Sequence, residues 1–460
     1  MRLTPDPDKE AQMDDLIARA LDTATAQGAH YADVRRVRQE RQLVLVRNGT
    51  VEAVSLEEDA GFGIRALVDG AWGFASSYKT DPAEVDAVAA AAVRTARASA
   101  RVHQRPVVLG AAVRSRGEYR TPVQRDPFAV PLDEQIALLL RADAAMRKVP
   151  NVTAATGQIV CIRDTKTFAS TEGAHTVQEI VQTGGGITAT AAGDGEVQRR
   201  SYPNSGGRNQ VCEGYEFIAR ADLEAHATRV AEEAVALLTA PQCPSGVTTL
   251  ILDGSQLALQ VHESCGHPIE LDRVFGSEAA YAGTSFLTTD RLGTFRYGSD
   301  AVTLTADATL PGALGTFGWD DEGVPAQRIE VVKEGRFVGY LTDRENASRL
   351  GLPGSMGAAR ASGWNRIPLV RMTNVSLEPG TWTLDDLIAD TDDGIYMETN
   401  RSWSIDDRRL NFQFGTEVAY EIKGGKRGGL LKNATYTGIT PEFWRGCDAI
   451  CDRDHWVAWG

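Results

Sequence analysis

The chain of 460 residues exceeds what one hydrophobic core usually covers, so two domains are the starting expectation. With 42% hydrophobic, 24% charged and 7% aromatic residues, its composition is that of a globular protein and excludes a disordered chain. A formal net charge of -14, with no long basic run, argues against sequence-independent nucleic-acid binding, which relies on neutralising phosphates.

The opening residues MRLTPDPDKEAQMDD carry acids and prolines where a secretory signal needs a basic start and an apolar core. No stretch approaches the roughly 20 apolar residues of a membrane span. A cytoplasmic protein with no membrane part is expected. Residues 12–28 place Leu16, Ile17, Ala20, Leu21 and Ala24 on one helix face. QLVLVRNGTVEAVSL reads as two strands around Asn48-Gly49, a dipeptide suited to the positive φ of a tight hairpin. GIRALVDGAWGFAS repeats the pattern at Asp69-Gly70. Asp81, Pro82 and Glu84 supply an N-cap, a first-turn proline and a capping-box acid before the Ala-rich helix 85–100. Helices follow after Asp133 and over 221–239, with Val-, Thr- and Ile-rich strands over 151–190 between them.

APQCPSG, 240–246, ends the last of these helices with two prolines and a glycine and marks the expected domain boundary, giving domains 1–240 and 241–460. Beyond it VTTLILDG reads as a buried strand and SQLALQVHESCGH as a helix. Residues 285–440 read as short strands separated by Gly, Pro and Asp turns. The fold class is therefore α+β: a mixed N-terminal domain of helices and antiparallel strands, then a mainly β C-terminal domain carrying one prominent helix. Six cysteines, at 161, 212, 243, 265, 447 and 451, are too sparse for a disulfide framework and read as free thiols.

The chemistry concentrates in HESCGH, 262–267. A zinc hydrolase needs neutral imidazoles for the metal, an open position for water and a carboxylate to take that water's proton. Here His262 and His267 supply imidazoles and Glu263 a carboxylate. Histidines five apart diverge by roughly 140° on a regular α-helix, so a π-bulge or a helix end must intervene if both face one ion. Gly266 and Pro268 make such a distortion easy. Two unattached histidines are the competing reading of the motif alone.

The chain resembles the TldD/PmbA family of metallopeptidases over nearly its whole length. VRNGTVEAVSLEEDAGFGIRALVDGAWGFASS resembles the family's opening hairpins, and VHESCGHPIELD, FGWDDEGVPAQ, GYLTDRENASRLG and PLVRMTNVSLEPG follow in the family's order. Retention of H-E-x-x-x-H is similar to the TldD branch, the other branch lacking it. The resemblance implies Zn2+ held by His262 and His267, with Glu263 as general base for peptide-bond hydrolysis. It also implies unfolded or extended peptides as substrates, bound beside a sheet edge. A homodimer, or a heterodimer with a PmbA-like partner subunit, is the implied assembly. Hydrolysis of a small amide in a natural-product pathway, or a non-catalytic assembly subunit, are the alternatives.

The resemblance further implies a third ligand, a cysteine near the chain's end followed by Gly-Lys. The final residues DAICDRDHWVAWG hold no such sequence, so the expectation is a ligand just beyond Gly460 or a replacement. Cys451 is the candidate replacement, with Cys447 and His455 behind it and Glu270 or Asp272 as oxygen donors; a buried thiol is the competing reading of Cys451. Asp320, Asp321 and Glu322 are expected to form a solvated turn rather than a second metal site. Thr183-Gly184-Gly185-Gly186 and GFGIR, 61–65, read as strands rather than phosphate cradles. Ser264 and Ser277 lack a nucleophile's setting, and the histidines at 30, 103, 175 and 226 lack ligand spacing.

Overall fold

Long antiparallel hairpins organise the N-terminal half. In the computed structural model, which describes residues 7–193 and 195–460, α1 (Pro7–Ala26) leads into β1 (Tyr31–Arg47), β2 (Thr50–Val68) and β3 (Ala71–Ser77). The two connecting turns have the positive φ their sequences predict: 49° and 78° at Asn48-Gly49, 49° and 76° at Asp69-Gly70. Next come α2 (Pro82–Ser99), β4 (Arg116–Arg120), α3 (Leu132–Arg147), β5 (Val152–Ser170) and β6 (His175–Gly193). β7 (Glu196–Tyr202) and β8 (Asn209–Val211) complete one sheet of order β3-β2-β1-β5-β6-β4, in which β7 and β8 also pair with β6.

Two clusters of apolar side chains support this sheet. α1 and α2 bury Ile17, Ala20, Val85, Ala89 and Ala92 against Val34, Phe62 and Ile64. α2 approaches β3 closely because Gly73 has no side chain; a Cβ there would stand 2.0 Å from the Ala92 carbonyl. The helix predicted over 221–239 is α5 (Leu223–Thr239); a short helix, α4 (Glu216–Ala221), precedes it, and Asp222 takes a left-handed φ of 43° between them. They bury Ile218, Val230 and Ala234 against Ile159 and Ile187.

The C-terminal half opens with β9 (Thr249–Leu252) and α6 (Gly254–Val261). A small sheet follows from β10 (Leu304–Asp307), β11 (Arg328–Lys333) and β12 (Arg336–Phe337). β13 (Ala359–Arg360) pairs with β14 (Leu369–Val370), and β15 (Asn374–Leu377) completes the small sheet beside β10. β16 (Asp393–Ile405), β17 (Asn411–Lys423), β18 (Lys426–Leu431) and β19 (Thr435–Ile439) build a larger sheet with β9 at its edge. The α+β reading stands. Two details differ: β16 and β17 are 13 residues each rather than short, and β9 is a parallel edge strand in which only Ile251 is fully buried. No helix among the described residues is long and apolar enough to cross a membrane.

The turn at 320–322 is not solvated. All three carboxylates are buried, and two of them, Asp321 and Glu322, fasten the two halves together. Glu322 takes an ion pair from Arg65 of β2 at 3.1 Å, and Asp321 is reached by Arg35 of β1 and Lys166 of β5. Asp320 turns inward and accepts the backbone N–H of Glu322, Val324 and Ala359. Burial opposes ionisation of Asp321, but Lys166 and Arg35 outweigh it and hold its carboxyl below the usual range. These acids looked like a surface turn because their partners lie some 150 to 290 positions away in sequence.

Candidate metal centre

Asp253 caps α6 by accepting the Ser255 N–H at 2.8 Å, and the helix runs regularly to Val261. There it widens. Residues His262–Gly266 form a π turn closed by the His267 N–H donating to the His262 carbonyl, and a single 3-10 turn, His267–Ile269, follows at Pro268. The i→i+5 bond stacks residues five apart, which the predicted distortion required. The two imidazoles therefore converge, with ring centroids 4.7 Å apart at an interplanar angle of 82°.

Local packing explains why the chain widens here. A Cβ at Gly266 would stand 2.0 Å from the Met372 sulfur, so a larger residue there would force the Met372 side chain of the β14–β15 connection to move. Ser264 is an anchor, not a nucleophile. Its hydroxyl donates to the Gln260 carbonyl and accepts from Trp444 Nε1 at 2.9 Å, while its carbonyl accepts from Tyr297 at 2.9 Å.

Ligand atoms of His262, Glu263 and His267 all lie within 4.8 Å of one another, the one such group among the described residues. His267 Nδ1 is 2.9 Å from Glu270 Oε2, which also accepts from Arg273 Nε and Nη2 at 3.0 and 2.7 Å. Burial works against ionisation of Glu270, yet His267 and Arg273 outweigh it and keep its carboxyl below the usual range. A carboxylate at Nδ1 assigns the proton to that nitrogen and leaves the Nε2 lone pair free. His262 opens onto a large chamber while being surrounded by protein. Its enclosure and the neighbouring His267 push its pKa down to about 4, so at neutral pH it is an uncharged imidazole. A buried carboxylate behind one of two convergent imidazoles fits a borderline-soft divalent cation such as zinc.

Glu263 is held from the far side. Arg409 Nη1 donates to Glu263 Oε2 at 2.7 Å, leaving Oε1 the oxygen without that bond. Arg409 sits in the turn between β16 and β17 with a φ of 62°, its N–H on the Asp406 carbonyl at 2.9 Å and its own carbonyl accepting from Thr440. Nothing in the spacing of the sequence points to Arg409, which lies 146 residues from its partner.

The C-terminal candidates line the same chamber, a cleft of about 1640 Å3, but do not join the ligand group. Cys451 is bridged through its backbone to Trp382. Burial pushes the Cys447 thiol up to about 11, and His455 Nδ1 contacts Asp452 at 2.8 Å. Asp272 is likewise outside the group; burial and Glu270 raise it to about 6, and its oxygens accept the N–H of Arg273 and Val370. Cys451→Ser is therefore expected to leave bound metal unchanged, as read by metal content after dialysis. A variant stripped of metal would restore Cys451 as a ligand. The glycine run 184–186 lies within β6, where Cβ atoms would meet Gln210, Gln158 and Tyr202 at 2.0 to 2.7 Å, so it is a crowded strand crossing and not a phosphate cradle. All six cysteines are free thiols.

Comparison with known proteins gives the chain a family. Residues 32–96 match domain 1, residues 125–238 the central domain and residues 245–458 the C-terminal domain of the PmbA/TldA metallopeptidases. A metalloprotease of Methanocaldococcus jannaschii is 28% identical over 423 residues, 91% of this chain and 89% of that one. A metalloprotease TldD homolog of Haemophilus influenzae is 27% identical over 435 residues, covering 92% and 86%. In fold, the chain is similar to a candidate DNA gyrase modulator of Thermotoga maritima (TM-score 0.78, 18% identity, 95% of each chain) and to TldE of Thermococcus kodakarensis (TM-score 0.73, 17% identity, 96% and 94%). With three consecutive domain matches spread over most of its length, the chain belongs to the PmbA/TldD family of metallopeptidases.

Proposed function

We propose that the protein is a zinc peptidase that hydrolyses peptide bonds of unfolded or extended peptides in the chamber beside α6. His262 and His267 hold the metal, and Glu263 is the general base. The observation that carries this reading is the π turn, which makes two histidines five apart converge with a carboxylate between them. A regular helix would have left the imidazoles on different faces.

Bound zinc would supply Lewis-acid polarisation of the scissile carbonyl and a lowered pKa for its water. The chain's own residues do the rest. Glu263 Oε1 accepts the proton of the attacking water and delivers it to the leaving amine. Arg409, bonded to Oε2, fixes the carboxylate's orientation so that Oε1 faces the reacting atoms. Glu270 holds His267 in the tautomer that presents Nε2. Assembly with a second chain, either a copy of this one or a motif-lacking relative, is part of the same proposal.

Metal analysis of the purified chain, combined with hydrolysis of an unstructured peptide pool before and after chelation and Zn2+ return, tests the reading directly. Hydrolysis indifferent to chelation would defeat it. Glu270→Gln is expected to weaken zinc affinity by about 10- to 100-fold, the scale for losing a carboxylate behind a ligating histidine. Competition with a chromophoric chelator measures it, and unchanged affinity would leave Glu270 a purely structural group.

A further inference from the structure

The chamber wall holds a charge that the metal site does not use. β13 and β14 are fastened to the segment that follows the motif: Val370 N–H donates to Asp272 at 3.1 Å, Ala358 N–H to the Thr342 carbonyl at 3.2 Å, and Leu341 N–H to the Ile269 carbonyl at 2.9 Å. On this strand Ala359 and Ala361 are buried, their N–H groups taken by Asp320 and Asp321 at 3.0 and 2.7 Å. Side chains alternate along a strand, so Arg360 between them faces the other way, into the chamber that His262 and His267 also line.

Arg360 has no hydrogen bond or ion pair with any described residue, and it is open to solvent through the chamber. The buried arginines Arg35, Arg65, Arg200 and Arg273, by contrast, each pair with a carboxylate. Enclosure lowers the pKa of Arg360 and Arg371 adds to this, while Asp321 and Glu270 attract the charge without touching it. A guanidinium in the chamber wall with all its donors free is suited to a planar anion, which it can grip with two parallel hydrogen bonds.

We propose that Arg360 binds a carboxylate of the peptide substrate beside the metal site, making the protein selective for peptides that carry a negative charge close to the bond it cuts. The substrate class rests on the peptidase reading; the anion site does not. The carboxylate has two possible sources, the peptide's own C-terminus or an Asp or Glu side chain. Arg208, on the β7–β8 connection, lines the chamber unpaired as well, but it lies outside the strands tied to the motif and serves as a control.

One unstructured hexapeptide in three forms provides the probes: the free C-terminal acid, its amide, and the amide with one internal glutamate. Hydrolysis is read as kcat/KM with the zinc-loaded protein. Binding is read by calorimetry with the metal chelated, so that a carboxylate on zinc does not contribute. At least one charged form is expected to exceed the neutral amide by about 10- to 100-fold in both readouts, the range of a charge-assisted hydrogen-bonded pair. Which charged form wins identifies the source. Arg360→Gln should abolish the preference, Arg360→Lys should retain part of it, and Arg208→Gln should leave it intact. Equal treatment of all three peptides by the unmodified protein overturns the proposal without recourse to any variant, as does a preference that survives Arg360→Gln. If the unmodified protein cuts none of them, the peptidase reading fails separately, and the binding measurements alone decide whether Arg360 is an anion site.

Discussion

Glu263→Gln is expected to keep its metal and lose at least about 10²-fold in kcat, the scale for removing a general base. The substitution is conservative for the fold, because a glutamine carbonyl still accepts the Arg409 hydrogen bond that Oε2 accepts now. What it removes is the ability to take a proton at the second oxygen. Metal content and peptide hydrolysis measured on one preparation separate three cases. Metal retained with activity lost makes Glu263 the base. Loss of both makes it a ligand, which the 4.8 Å grouping with the two histidines also permits geometrically. Near-normal hydrolysis would remove it from the reaction.

The sequence was most informative where the physics is local. Asn48-Gly49 and Asp69-Gly70 declared their hairpins because few other dipeptides accept consecutive positive φ values. Asp81 declared the start of α2, accepting the Glu84 N–H at 3.0 Å, although the Glu84 side chain turns to Ser77 and not back to the cap. The distortion at the motif was legible for a different reason: five-residue spacing and shared ligation are compatible only if the helix widens or ends between the histidines, and the structure has the π turn.

What remained hidden depends on distance along the chain. Arg409 reaches Glu263 through a left-handed turn between two strands, and the Met372 side chain packs against the glycine at 266 from more than a hundred residues away. Asp320, Asp321 and Glu322 read as a surface turn because Asp and Gly clusters are usually exposed; only the folded sheet brings Arg35, Arg65 and Lys166 over them. The same network holds up the N-terminal side of the wall that carries Arg360, since Asp321 both accepts from Arg35 and Lys166 and receives the Ala361 N–H. At Asp321, joining of the halves and shaping of the chamber thus share the same contacts.

Arg65→Met is expected to destabilise the protein by about 3–5 kcal/mol, the cost of stranding buried charges when one partner is removed. Arg65 donates to Asp33 through Nε and Nη2, at 3.0 and 2.6 Å to Oδ2, and to Glu322 through Nη1 at 3.1 Å. Asp33 is 1% exposed and Glu322 3%, so neither recovers water when the guanidinium leaves. Methionine matches much of the stem's volume and can keep contact with Trp72, over which the guanidinium now lies at 4.5 Å, so lost packing contributes little. Arg65→Lys should fall between the two, since one ammonium replaces the charge but not the fork that spans both carboxylates. The exposed pair of Arg19 and Asp86 supplies the comparison: both are well solvated, and Arg19→Ala should leave stability unchanged within error. Urea unfolding followed by tryptophan fluorescence measures all three variants, and the first transition should move to lower urea in Arg65→Met and hardly move in Arg19→Ala. An Arg65→Met midpoint indistinguishable from that of the unmodified protein would mean that the buried carboxylates take up protons or rearrange at little cost, and that the Arg65 pairs do not hold the two halves together.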